Sequence, residues 1–142
     1  MPSIQRSALV SYSAEAMYDL VNDVNAYPAF LPGCADSKID NQTANAMTAS
    51  LLVAKAGIKQ WFTTRNILQP THRIDMELVD GPFKKLTGGW TFSALSDSAC
   101  KIELNLHFEF SSKLAEIAFG KVFNNLATSM VNAFIERAKS VY

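Results

Sequence analysis

The sequence predicts an α+β protein in which a curved antiparallel sheet wraps a long C-terminal helix and leaves an apolar cavity between them. Three observations carry this. From Leu114 to Ala138 apolar residues recur at helical spacing without a break. Before that, several short alternating segments follow one another with turn signals and no helical crossover between them, which is the mark of an antiparallel sheet. The last of those segments, Cys100 to Phe110, alternates without a fault: Cys100, Ile102, Leu104, Leu106, Phe108 and Phe110 against Lys101, Glu103, Asn105, His107 and Glu109.

The elements follow in order. Ile4 to Val10 reads as a first strand. Ser13 carries the oxygen that caps a helix, with Glu15 and Asp19 near its positive end. Ala16, Met17, Leu20, Val21 and Val24 share one side of that helix, and the approach to Pro28 closes it. Tyr27-Pro28-Ala29-Phe30-Leu31-Pro32-Gly33-Cys34 brackets an apolar tetrad between prolines and allows at most a short helical turn. Met47, Ala49, Leu51 and Val53 alternate as a strand. In Ile58 to Leu68, Trp61, Thr63, Arg65 and Ile67 take one face, and Phe62 and Leu68 are among those on the other. Ile74, Met76 and Leu78 alternate with Arg73, Asp75 and Glu77.

Asp80-Gly81-Pro82 breaks that strand and opens a loop containing Phe83-Lys84-Lys85. Trp90, Phe92 and Ala94 form the inward set of the next strand. Ser111-Ser112 caps the final helix, whose apolar side, including Leu114, Ile117 and Ala118, covers well over half the circumference. An ordinary surface helix has a stripe about 100° wide, so this one is expected to be embraced.

Totals bound the function. A chain of 142 residues is one domain by length, 1–142, and buries a sizeable core without staples. Thirteen basic and thirteen acidic residues cancel, which gives no general attraction to DNA. The charges are nonetheless unevenly placed. Asn41 to Ile74 holds Lys55, Lys59, Arg65 and Arg73 with no acid, and Lys84 and Lys85 follow in another acid-free stretch. Such a segment either presents a positive face to phosphate or supplies ordinary outward strand residues. The start, Met1-Pro2-Ser3-Ile4-Gln5-Arg6, lacks an apolar leader core, and no apolar run approaches the ~18 residues of a membrane span. A cytoplasmic protein with reduced Cys34 and Cys100 is expected, and any membrane contact would be peripheral.

Catalytic parts are scarce. His72 and His107 have no partner at metal-ligand spacing, and no C-x-x-C, G-x-S-x-G, G-x-G-x-x-G or phosphate-loop pattern occurs. Cys34, after two prolines and a glycine, is either an exposed reactive thiol or the buried structural kind. Gly120 inside a strong helix marks the close approach of a ligand or of a packed strand. Phe83 beside Lys84 and Lys85 either meets a phospholipid or RNA surface or folds under its own loop. The expectation is a protein that binds and does not catalyse.

The Tyr27–Cys34 segment, Val79-Asp80-Gly81-Pro82-Phe83-Lys84-Lys85-Leu86 and Gly89-Trp90-x-Phe92 together resemble the START-like family of coenzyme-Q-binding proteins, within the polyketide cyclase superfamily. Phe108-Glu109-Phe110 and Ala118-Phe119-Gly120-x-Val122-Phe123 extend the likeness over nearly the whole chain. The resemblance implies a helix-grip fold with a hydrophobic tunnel. It also implies one of two functions. One is binding ubiquinone or a similar polyprenyl lipid in support of respiration, with no cofactor required. The other is that of the ribosome-association toxin branch, which binds the large ribosomal subunit and blocks subunit joining. Quinone-branch relatives often carry tryptophan where this chain has Gly33, which favours the toxin branch. The cyclase label needs acid–base residues not found here.

For the lipid function the expected contacts are Phe30 and Leu31 at one lip, with Phe83 and Leu86 at the other. Trp90, Phe119, Phe123 and Met130 would lie deeper, beside Gly120. Tyr27 or backbone amides near Gly81 would meet a head group. For the ribosomal function the phosphate contacts would be Lys55, Lys59, Arg65, Lys84 and Lys85. On physical grounds the apolar pocket takes precedence, and the two activities are compatible: ligand inside, contact outside, with a peripheral place at the inner membrane for the former.

Overall fold

The structure, a computed structural model, describes residues 3–55 and 57–142; Met1 and Pro2, which open the amino-terminal segment read above, lie outside them. The elements are β1 (Ser3–Val10), α1 (Ala14–Asn22), a 3-10 helix (Val24–Ala29), β2 (Cys34–Gln42), β3 (Ala46–Lys55), β4 (Ile58–Gln69), β5 (Arg73–Asp80), β6 (Phe83–Ser96), β7 (Ala99–Phe110) and α2 (Lys113–Val141). All seven strands form one antiparallel sheet in the order β1-β7-β6-β5-β4-β3-β2. β2 to β7 is thus a plain meander. Only β1 departs from it, pairing with β7 from Ser3↔His107 to Val10↔Cys100.

Local chemistry starts both helices where serine predicts. Ser13 Oγ accepts from the Ala16 amide at 3.0 Å, and Ser112 Oγ from the Ala115 amide at 3.0 Å. Pro28 does not stop the first helical region. The chain instead tightens into 3-10 geometry after Asn22 and carries Pro28 inside it. β2 is a strand that the sequence hides, since its buried positions are few and it is bulged twice against β3.

The concave face of the sheet holds α2. Phe119, Val122, Phe123, Leu126, Ala127, Met130, Val131, Phe134 and Ala138 bury against it. The inward set of β7 is sealed, with Cys100, Ile102 and Leu104 fully buried. Many rings cross edge-to-face: Phe134 meets Trp90, Tyr27 and Phe30 at 5.3 Å each, and Phe83 meets Phe123 at 4.8 Å. Each such pair contributes about 0.5–1.5 kcal/mol beyond its buried area.

Three sequence expectations are corrected. Phe83 is not in a loop; it opens β6 and is only 5% exposed, clamped among Phe62, Phe110, Phe119 and Phe123. The hairpin reaches back to Pro82, whose carbonyl accepts from the Ser111 amide, so the strand starts at once. Ala94 is exposed, because the register of β6 with β7 slips between Ala94 and Ser96 at the sheet's far end. The first two turns of α2 are not embraced: Leu114 is 76% exposed, Ile117 70%, and Ala118 is exposed. The sheet covers only one side of the helix there, and α1 packs nearer its other end, where the Tyr142 hydroxyl donates to the Ala16 carbonyl.

Curvature has a sharp origin in β6. Gly88 and Gly89 have φ of 134° and 157° in mid-strand. A Cβ on Gly88 would sit 2.0 Å from the Asn105 carbonyl oxygen, and one on Gly89 2.0 Å from that of Ile74. No side chain fits either place. Gly88→Ala should therefore lower stability by at least about 2 kcal/mol, and Gly89→Ala by a similar amount, in urea unfolding. Wild-type midpoints for both variants would refute this account of the curve.

Candidate functional site

Between α2 and the middle of the sheet lies a cavity of about 60 Å³. Leu51 of β3, Ile74 of β5, Leu86 and Trp90 of β6, and Phe123 and Met130 of α2 are among its walls. No lining residue carries a formal charge, and the Tyr27 phenol is the only lining group with a titratable proton. That phenol donates to the Val21 carbonyl at the end of α1. Its pKa is pushed well above the ordinary tyrosine value by burial first, then by nearby Cys34 and Asp23. It stays neutral and structural.

The expected ligand contacts are divided by the structure. Tyr27, Leu86, Trp90, Phe123 and Met130 line the cavity. Phe83 and Phe119 do not; they belong to the aromatic cluster beyond its end. Leu31 is buried in the general core, and Phe30 borders a surface groove with the Arg137 guanidinium 5.0 Å from its ring. Gly81 lies against Phe62 in the β5–β6 turn, where an added Cβ would come within 2.8 Å of the Phe62 Cβ. Gly120 faces the Phe110 ring, 3.5 Å from where a Cβ would be, which is ordinary packing distance. A Cβ would fit there, so the neighbouring strand does not require glycine, and Gly120 does not line the cavity.

Sequence reasoning missed the cavity's polar members, Asn22, Thr64 and Asn66. Thr64 Oγ1 donates to Asn66 Oδ1 at 2.8 Å, both buried on the inner face of β4. Asn22 Oδ1, at the end of α1, is buried and has no hydrogen-bond partner among the described residues. The signal for two of them was present: 64 and 66 are the inward positions between Phe62 and Leu68.

The candidate phosphate contacts are all exposed. Lys55 and Lys59 flank the β3–β4 turn, while Lys84 and Lys85 begin β6, with Lys85 opposite Glu109. Because Thr63 pairs with Asp80 and Phe83 with Phe110, these turns and the start of α2 share one end of the sheet. Lys113 and Lys121 add to that end, against Asp80, Glu109 and Glu116. Arg65 lies farther along the outer face, opposite Glu77. On that face the Lys38 ammonium sits 5.2 Å from the ring centre of half-exposed Trp61.

Other site types are less well supplied. Among the described residues no cluster of three His, Cys, Asp or Glu could hold a metal ion, and no helix is long and apolar enough to cross a membrane. Both cysteines are buried and free.

A curved sheet gripping a long helix around an apolar space is the START-like helix-grip architecture, and a START superfamily protein from Mycobacterium smegmatis shares it with a TM-score of 0.81 at 18% identity, over 99% of both chains. The family model for polyketide cyclase / dehydrase and lipid transport proteins matches residues 10–135, and the chain belongs to that family. The ribosome association toxin RatA of Escherichia coli (strain K12) is 61% identical over all 142 residues, which span 90% of that protein. The mitochondrial coenzyme Q-binding protein COQ10 of Drosophila melanogaster is 29% identical over 138 residues, covering 94% of this chain and 57% of that one.

Burial pushes the Cys34 thiol up to about 11, and desolvation raises Cys100 as well. A raised thiol pKa favours the unreactive neutral form at pH 8. Iodoacetamide at pH 8 should label neither cysteine in the folded protein and both in urea. Rapid labelling of native Cys34 would contradict the burial described.

Proposed function

We propose that this protein is a ribosome-associating toxin that binds the large ribosomal subunit and hinders subunit joining in the cytoplasm. The observation that carries this is the 61% identity to a RatA protein over the full 142 residues. The geometry supplies a means. The sheet end built by the β3–β4 turn, the β5–β6 turn and the start of α2 gathers Lys55, Lys59, Lys84, Lys85 and Lys121 on exposed positions. Such a surface meets RNA phosphates by releasing their counterions, so affinity should fall steeply with salt. Contact there is binding, not catalysis, and it needs no cofactor.

A second reading is favoured by a different observation, the uncharged apolar cavity together with the likeness to a coenzyme Q-binding protein. In it the protein holds ubiquinone or a similar polyprenyl lipid, with a peripheral place at the inner membrane. The cavity of about 60 Å³ is far below the ~300–1,000 Å³ of ordinary ligand pockets, so occupancy requires the walls to open. Met76 and Met130, unbranched and adaptable, are the walls suited to that movement.

Overproduction should raise free subunits at the expense of joined ribosomes in sucrose gradients. The double charge reversal Lys84→Glu/Lys85→Glu should weaken binding to purified large subunits at least about tenfold and lower the salt slope by about two. An unchanged gradient, or full binding by that variant, would remove the support for this reading. For the second reading, organic extraction of the purified protein should yield a polyprenyl quinone by mass spectrometry in near-stoichiometric amount; a lipid-free extract would count against it.

A further inference from the structure

We propose that the first two turns of α2 form the interface of a two-fold symmetric dimer, so that this surface takes a second copy of the chain. The proposal rests on neither functional reading above.

Three observations define the surface. The first is an uncovered apolar ridge. Leu114, Ile117 and Ala118 stand at i, i+3 and i+4 on one face of α2, and the two large side chains are 76% and 70% exposed. Single apolar side chains scattered on a surface are ordinary, but here two large ones adjoin where the sheet no longer covers the helix.

The second is a groove beside the ridge. About 420 Å³ of open space lies between Lys84 of β6, the end of β7 and the same turns of α2. Half-buried Phe110 gives it an apolar wall, and Glu109, Lys113 and Glu116 complete its charged rim. Lys113 and Glu116 lie on the turns that carry Leu114 and Ile117, so ridge and groove are contiguous.

The third is the balance of charge. The groove is lined by two cations, Lys84 and Lys113, and two anions, Glu109 and Glu116. Lys113 Nζ stands 3.7 Å from Glu116 Oε1 within the chain, with the two side chains 81% and 50% exposed. An exposed pair of this kind contributes little, which leaves both charges open to another surface. RNA or an anionic bilayer seated on the ridge would set its phosphates against Glu109 and Glu116. A surface that carries ridge, groove and both signs in equal number is complementary to itself. In a two-fold pairing each ridge enters the other copy's groove, and Lys113 of one copy meets Glu116 of the other twice over. Two helical turns and a hairpin end make a small interface, so the dimer is weak and depends on concentration. Because Lys84 is also one of the proposed phosphate contacts, the paired form covers part of that face.

The test is sedimentation equilibrium of the full chain over concentrations reaching about 1 mM. The wild type should pass from monomer to dimer mass. Leu114→Glu/Ile117→Glu should raise the dissociation constant at least about tenfold while circular dichroism stays native, since both side chains are largely exposed. Lys113→Glu and Glu116→Lys should each weaken pairing alone. An equimolar mixture of those two variants should regain the wild-type dimer mass, because their charges then face opposite signs. A wild type that stays monomeric throughout overturns the proposal, as does a dimer that survives the double aliphatic change or a mixture that remains monomeric. A monomer that floats with phosphatidylglycerol vesicles only when Leu114 and Ile117 are intact assigns the ridge to a bilayer and overturns it too.

Discussion

The two missing side chains at Gly88 and Gly89 are the constraint on which the remaining architecture rests. Carbonyl oxygens of both flanking strands, from Asn105 and Ile74, occupy the space where Cβ atoms would stand. β6 can therefore bend between β5 and β7 without losing its ladder to either. A flatter sheet would touch α2 along one line. The bent one closes around it, which is how Leu106 on β7 and Leu51 on β3 come to face the same small space from opposite sides. The cavity is a product of curvature, and its walls are the ordinary inward positions of five strands and three helical segments.

This arrangement separates two kinds of chemistry. Inside, the lining carries no formal charge, and its polar groups pair with each other or with backbone except Asn22 Oδ1. Outside, cations collect at the end where the β3–β4 turn, the β5–β6 turn and α2 begin, while Glu15, Asp19 and Asp23 lie on and just after α1. The inner and outer surfaces can thus change independently. That proteins similar to this chain carry names as different as RatA and COQ10 is consistent with that separation.

Much of the fold was legible because period decides it. β7 and β5 alternate in sequence, β3 does so apart from buried Ser50, and Ser13 and Ser112 announce their helices. Where period fails, so does reading. β2 is bulged and largely exposed, so it leaves no pattern. Phe83 follows Gly81-Pro82 and precedes two lysines, local signs of a loop, yet five surrounding phenylalanines draw it inward. Leu114 and Ile117 show the converse: helical spacing says which residues share a face, not whether anything covers that face. The candidate site was half legible for the same reason. Tyr27, Leu86, Trp90, Phe123 and Met130 are apolar positions on predictable faces. Asn22, Thr64 and Asn66 are polar residues whose burial depends on the three-dimensional closure of the sheet.

The pairing of β1 with β7 bears on how the molecule is made. Ser3 lies opposite His107, and every other strand pair joins neighbours in the chain. During synthesis the meander can form step by step, but the first strand has nowhere to settle until almost the last one has emerged. Ile4 and Val10, buried in the finished protein, stay uncovered through that interval. Long-range pairing of this kind slows folding and prolongs exposure of apolar surface. The sheet is therefore closed late, by its first and last strands together, and a chain lacking β7 would leave β1 without a partner and β6 paired only with β5.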